Sequence, residues 1–358
     1  MTIYFSLLFI VMATALTSSL RREKILWLFV SLFFIVVIGF RYEVGGDWDA
    51  YLLGYENIQG RDFSQWRSFK DKGFYLINYL SYQLGFGIYG VNIFMATLFM
   101  IGLVRLSRKQ FDPWLAFLIS IPYLVIVVSM GYTRQAAAIG LVMLSISYLY
   151  DRELIKATIA ILIAGLFHKT ALLSLAALFF ISGGSFYLVF IVAIFIVISL
   201  IFPQYISSLM EYYGSLIEYY VLPEMYSNGT VEYQSEGAFF RALNNAFFAL
   251  IILIFKEKWK QYYNDYPLWR MVAIISIMLL FVVNEYSTAV DRLLLYFSIL
   301  QIVVIGRLPL LARDIIHPQV ITLLVSMYSF AILSLWLAFA THAHHWNPYQ
   351  NILFNDIF

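Results

Sequence analysis

The chain contains no cysteine, which excludes a disulfide framework, a thiolate nucleophile and any cysteine-ligated metal. Charge is scarce as well. Asp, Glu, Lys and Arg together make up 12 % of the residues, against about 25 % in a soluble domain. The net charge of +2 gives no electrostatic reason to expect nucleic acid as a partner. No G-x-x-x-x-G-K-[ST] loop occurs, so the sequence carries no phosphate-cradling loop of an ATP-driven pump. No pair of carboxylates lies deep inside an apolar run, which leaves little basis for ion-coupled transport. A cleavable leader is not expected either. The first apolar run, Ile3 to Leu16, has no basic stretch before it and ends in Arg21-Arg22-Glu23-Lys24 rather than in small residues.

What fills the chain is apolar and aromatic. Of its 358 residues 62 % are hydrophobic, the mean hydropathy is +0.80, and 27 Tyr and 32 Phe dominate the rings. Such a composition predicts an all-α polytopic integral membrane protein, folded as a single transmembrane domain over 1–358. A bilayer core of about 30 Å needs about 20 apolar helical residues. Twelve segments qualify as full or half spans: 3–19, 25–40, 88–104, 114–130, 135–150, 155–168, 170–182, 186–202, 238–255, 268–284, 292–306 and 318–341. The pair 155–168 and 170–182 is short and reads equally as one broken helix.

Lysine and arginine set the orientation. With the first loop inside, thirteen basic residues fall on the cytoplasmic side and nine on the outer side, and both termini lie outside. Five of the outer cations sit at span ends: Arg41, Arg134, Lys169, Arg241 and Arg292. A planar guanidinium matches phosphate oxygens, so this clustering predicts an anionic, phosphate-bearing ligand at the outer face. Pairing with outer carboxylates is the competing reading. Two outer loops are long, at 41–87 and 203–237. Within the first, Lys70 to Gly87 reads as an interfacial helix. The second is rich in Tyr and Glu, which suits a sugar surface or a pair of amphipathic helices.

The most polar stretch of the membrane part is Gly39-Phe40-Arg41-Tyr42-Glu43-Val44-Gly45-Gly46-Asp47-Trp48-Asp49-Ala50-Tyr51. Charges gathered at a span end mark a functional site unless they only snorkel to water. Further on, Gly131-Tyr132-Thr133-Arg134-Gln135 opens a helix, and a helix start with an arginine suits an anion. Phe167-His168-Lys169-Thr170 offers a histidine for base chemistry, or a hydrogen-bonded structural residue. Asn284-Glu285-Tyr286 and Asp291-Arg292 flank an outer turn, where Asp291 either pairs with Arg292 or holds another arginine in place. The run from His342 to Tyr349 is read as a span-end anchor and not as a metal site; no metal and no cofactor is expected.

Taken in order, these motifs carry a resemblance. Arg41-x-x-x-Gly45-x-Asp47-x-x-x-Tyr51, Arg134-Gln135, Phe167-His168-Lys169-Thr170-Ala171-Leu172-Leu173, and Asp291-Arg292 with Tyr296 and a closing Pro348-Tyr349 resemble the EpsG family of bacterial polysaccharide polymerases, relatives of the Wzy O-antigen polymerases. The resemblance implies a GT-C-like helical fold in the bacterial inner membrane, with the active site facing the periplasm or the outside. It implies the joining of undecaprenyl-diphosphate-linked oligosaccharide repeat units into O-antigen, capsule or exopolysaccharide without metal or nucleotide. A chain-length regulator and a flippase are the implied partners, besides the lipid bilayer. On this reading His168 is the base and Asp47 its alternate. Arg41, Arg134 and Arg292 bind the diphosphate, and Asp49, Tyr51 and Glu285 orient sugar or arginine; Arg241 matches no motif of the family and is a further substrate-binding candidate from its place at an outer span end. An O-antigen ligase, another lipid-linked glycosyltransferase, or a lipid-linked oligosaccharide flippase are the alternatives.

Overall fold

The computed structural model describes residues 1–17, 23–61, 71–176 and 237–353, with 178, 211 and 235 as isolated positions. The described residues are helical throughout, with no strand among them beyond a single bridge pairing Arg41 with Asn351. They fall into two compact units, Met1–Leu172 with Gln301–Phe358, and Leu173–Leu300.

The first unit holds α1 (Thr2–Leu16), α2 (Lys24–Gly39), α3 (Trp48–Glu56), α4 (Lys72–Gln83), α5 (Gly87–Arg108), α6 (Pro113–Ser120), α7 (Ser129–Gly131), α8 (Thr133–Tyr150) and α9 (Leu154–Phe167). A π-helical stretch, Ile121–Val128, joins α6 to α7. Asp112 starts α6 by accepting a hydrogen bond from the Leu115 amide at 3.2 Å, with Pro113 at the first helical position. The second unit holds α10 (Ala238–Ile254), α11 (Lys256–Tyr262), α12 (Tyr266–Val282) and α13 (Ser287–Phe297). Then α14 (Ile299–Leu311) leads back into the first unit, and α15 (Pro318–Phe339) ends there.

Four helical stretches among the described residues are long and apolar enough to cross a membrane: Gly87–Arg108, Pro113–Gly131, Ser287–Leu311 and Pro318–Phe339. A fifth counts if Ala238–Ile254 and Lys256–Tyr262, bent by 72°, form one broken span. This is a multi-pass membrane protein. Its α1, α2, α9 and α12 are apolar but shorter. Ten of the twelve expected segments coincide with helices, whereas 186–202 and the loop 203–237 lie outside the described residues apart from 211, 235 and 237. The segment 170–182 begins as a 3-10 turn, Lys169–Ser174, after an extended His168, a break where the sequence offered a broken helix, with Leu172 packed against Gly165; 177 and 179–182 lie outside the described residues.

The region 41–87 is also more structured than a loop. The Trp48, Tyr51 and Tyr55 side chains share the buried face of α3, and Gly73, Tyr75, Asn78 and Ser81 that of α4. The stretch Gly85-Phe86-Gly87-Ile88-Tyr89-Gly90 spells G-x-G-x-x-G, but it links helix to helix with no strand before it, so it lacks the dinucleotide-binding context.

Backbone contact holds the first unit together. A Cβ on Gly102 would meet the Gly140 carbonyl oxygen at 1.7 Å, and one on Gly140 would meet the Phe99 Cα at 2.4 Å. Small residues let α5 and α8 approach this closely, which is how membrane helices gain packing energy where lipid is as apolar as they are. In the Pro113–Gly131 stretch 94 % of the apolar window is buried, against 39 % in Pro318–Phe339, so the former is the most enclosed of these four helical stretches. Trp27 stacks on Trp114 at 4.0 Å, and Phe34 and Phe117 meet edge to face beside them.

Candidate functional site

The helix ends of the first unit separate its charges. The α8–α9 hairpin turns at Asp151, which pairs with Arg105 and Lys109. Arg307 nearby donates to Gln110 at 2.9 Å. The opposite end gathers the last turn of α2, the α7–α8 break, the end of α9, the start of α4 and the C-terminal segment. Every motif singled out in the first unit lies at this opposite end, and Gly73 packing on Leu166 joins α4 to the end of α9 there.

Arg41 is its centre, 1 % exposed. Its Nη1 donates to the Ile38 carbonyl at 2.6 Å and Nη2 to Thr133 Oγ1 at 2.8 Å. Its Nε is shared between the carbonyls of Met130 at 3.0 Å and Val44 at 3.2 Å. Ile38 and Met130 lie at helix C-termini, where carbonyls lack intrahelical partners. Arg41 therefore ties α2, the turn at Val44 and both sides of the α7–α8 break into one body. Burial lowers its pKa to about 10, offset in part by Tyr51, Tyr349 and Tyr4, and it stays charged at neutral pH. Its guanidinium lies 5.9 Å from the Trp48 ring.

Two glycines allow the close approach. Gly45 has φ +107°, and a Cβ there would lie 2.3 Å from the Met130 oxygen. A Cβ on Gly131 would lie 2.5 Å from the Trp346 ring. Trp346 is 1 % exposed and donates from Nε1 to the Ile126 carbonyl at 2.9 Å, within the π-helical stretch. Such bulges free carbonyls from the helical ladder and recur at functional sites. Tyr4 donates to the Trp346 carbonyl at 2.6 Å, Tyr349 donates to the Val37 carbonyl at 2.8 Å, and the amide of Tyr42 pairs with Gln350 at 3.0 Å. The C-terminal residues thus strap the Arg41 turn in place.

Arg134 faces outward above this base. Its Nη1 pairs with Asp71 at 2.5 Å, and its guanidinium lies 5.6 Å from the rings of both Tyr51 and Phe74. Its side chain is 42 % exposed, yet its Nε is buried with no hydrogen-bond partner among the described residues. The first turn of α8 adds backbone amides, the Arg134 amide facing the Tyr51 hydroxyl at 3.5 Å. Burial raises the Tyr51 pKa against the pull of Arg134. Asp47 is half-buried at the head of α3, and Asp49 in its first turn is exposed. His345 lies over Gly46, its amide partner being Gly45 through a 2.9 Å bond from the Gly45 N–H to the His345 carbonyl. Partial desolvation, helped by His344 and His342, lowers the His345 pKa against the opposing pull of Asp49 and Asp47. His168 caps α9 in extended backbone, half-buried, with Nδ1 on the Thr170 hydroxyl.

Of the residues named from sequence, the first unit brings Arg41, Asp47, Asp49, Tyr51, Arg134 and His168 to one end. Asp71 belongs to the same end and was not foreseen; Thr133, His345 and Trp346 do as well, residues of runs read as a helix start and a span-end anchor and given no site role of their own. Arg241, Glu285 and Arg292 belong to the second unit. There Arg241 pairs with Asp291, both largely buried, while Asn245 donates to the Leu294 carbonyl at 3.0 Å. Asp291 thus holds a different arginine from its sequence neighbour. Glu285 and Arg292 are exposed at and after the α12–α13 turn. Ala238, Ala242, Val283, Val290 and Leu294 form the core beneath.

No curated protein and no solved structure matches the chain. A family model does, across residues 24–351, a span that takes in every one of these motifs. By that match, this chain with its buried Arg41 and outward-facing Arg134 belongs to the EpsG family.

Proposed function

We propose that this protein elongates a polysaccharide by moving a growing chain from its undecaprenyl diphosphate onto a new lipid-linked repeat unit. Family membership points to a membrane polysaccharide polymerase of glycosyltransferase type. The observation that carries the finer reading is the Arg134 side chain, half-exposed at the head of α8 and held in place by Asp71 between the Tyr51 and Phe74 rings.

In this mechanism an acceptor hydroxyl attacks the anomeric carbon of the donor sugar. The new C–O bond forms as the bond to the diphosphate oxygen breaks, and the lipid diphosphate leaves with the electron pair. Arg134 meets the developing charge with the exposed part of its guanidinium, while Asp71 fixes the guanidinium plane and the α8 amides add to the field. Arg41 acts beneath as a positioning residue, since its guanidinium is spent on carbonyls and Thr133. His168 takes the hydroxyl proton on Nε2, its Nδ1–H donating to Thr170. Asp47 is the alternate base. Tyr51 and Asp49 orient sugar or arginine. The site faces the periplasm or outer surface of the bacterial inner membrane, and the chemistry uses neither metal nor nucleotide.

The test is genetic. A strain lacking its own copy of this gene is complemented with the parent, Arg134→Ala or His168→Ala, and surface polysaccharide is resolved by size. The parent gives a ladder of repeats, and the variants give single lipid-linked units despite normal membrane levels. Ladders of normal length from Arg134→Ala overturn the assignment. Single-sugar products from the parent point to another lipid-linked glycosyltransferase.

A further inference from the structure

The end of the first unit remote from Arg134 carries a feature the polymerase chemistry does not use. Between α2 and α5 runs a groove of about 640 Å³, walled by Leu28, Leu32 and Ile35 on one side and Ile101 and Val104 on the other. That volume lies within the range of small-ligand sites, about 300–1,000 Å³. Leu28, Leu32 and Ile35 follow helical spacing, so they form one continuous apolar wall. Leu28, Leu32 and Ile101 are 58, 50 and 48 % exposed, open to whatever lies beside the helices. At one end the apolar wall of α5 gives way to Arg105 and Arg108, in register with Ile101, and to Lys109.

The charges at this mouth do not cancel. Asp151 pairs with Arg105 and Lys109, and Arg105 also lies over the Tyr148 ring at 4.3 Å. Arg108 is exposed and forms no ion pair among the described residues. One carboxylate against three cations leaves a net positive mouth on an apolar trough. An amphiphile with an anionic head and a hydrocarbon tail complements both parts at once, and basic clusters between membrane helices attract such headgroups. A partner helix would need an acidic residue beside an apolar ridge, and a free anion would leave the trough unfilled.

We propose that the α2–α5 groove is a binding site for an anionic membrane phospholipid, its phosphate at Arg108 with Arg105 and Lys109, and one acyl chain along Leu28, Leu32 and Ile101. The site is independent of the reaction assigned to the opposite end.

The full-length protein in non-ionic detergent is titrated separately with phosphatidylglycerol, phosphatidylcholine and undecaprenyl phosphate, and bound lipid is counted by native mass spectrometry. The parent retains phosphatidylglycerol in preference to phosphatidylcholine. Arg108→Gln breaks no ion pair described here and lowers phosphatidylglycerol retention about fivefold, the loss expected for one basic residue at an anionic surface. Ile101→Trp, which fills the trough, lowers it as well, and if that variant does not fold, Arg108→Gln decides alone. Equal retention of the two lipids by the parent, or unchanged retention in Arg108→Gln, overturns the site. Preferential retention of undecaprenyl phosphate over phosphatidylglycerol overturns the choice of occupant.

Discussion

Replacing Arg41 and Arg134 by alanine separates two roles that the sequence alone runs together. Arg41→Ala removes four hydrogen bonds from one buried cation, to Ile38, Val44, Met130 and Thr133. Each bond from a charged donor contributes about 1.5–3 kcal/mol, but the four are not additive, since water enters the vacated space and satisfies some carbonyls. A net loss of about 3–5 kcal/mol follows. Arg134→Ala removes one half-exposed ion pair, worth about 0–1 kcal/mol. For catalysis the order reverses, because loss of a donor at the developing charge lowers kcat by about 10²–10³. The assay is thermal unfolding of both purified variants in detergent, followed by intrinsic fluorescence, alongside polymer synthesis. Arg41→Ala loses Tm and activity together; Arg134→Ala keeps its Tm and loses activity. Lysine at 41 does not restore Tm, since a point charge cannot reach three carbonyls and a hydroxyl at once. An Arg41→Ala protein as stable as the parent refutes the reasoning.

Other substitutions test the same framework. Trp346→Ala deletes a buried ring and its bond to Ile126 and destabilises the first unit by about 3–5 kcal/mol, read as a fall in Tm. Gly131→Val forces a side chain into the Trp346 ring, so it lowers Tm as Trp346→Ala does; the double variant Gly131→Val with Trp346→Ala is less impaired than the sum of the two. In the second unit, Asp291→Asn removes the carboxylate that pairs with the largely buried Arg241 and lowers Tm, a loss that the swap Arg241→Asp with Asp291→Arg recovers in part. His345 titrates below the ordinary imidazole value of 6.5 in the folded protein. The unfolded chain therefore binds more protons under mild acid. Its contribution is present above pH 6.5 and is lost as pH falls through the lowered folded value. Tm measured downward from pH 7 falls less steeply in His345→Gln than in the parent.

How much of this was legible in the sequence depended on range. Apolar runs of helical length marked α5, α8 and α15 to within a few residues, since lipid demands uninterrupted helix. The short α3 was hidden because it has only nine residues and follows directly on the charged turn from Arg41 to Asp47, so it read as part of the outer loop. Arg41 announced itself by its cost at a membrane boundary, but its partners did not. Met130 and Thr133 are about ninety positions away, and what they offer is a carbonyl and a hydroxyl with no sequence signature. Asp71 was equally invisible as the partner of Arg134, 63 residues distant. The run His342 to Tyr349 was read as a membrane anchor because its role appears only once the chain reverses and straps Gly45 and Tyr42. Asp291 shows the reverse case. The choice between pairing with Arg292 and holding another arginine was stated from sequence, and packing of α10 on α13 decides it for Arg241.

The central claim is tested most directly by reconstitution. The purified protein in lipid vesicles is given one synthetic undecaprenyl-diphosphate-linked repeat unit, with chelator present and no nucleotide. The account predicts a ladder of products that is lost in Arg134→Ala and in His168→Ala while both proteins remain folded. No ladder from folded parent protein, or an undiminished ladder from Arg134→Ala, would contradict it.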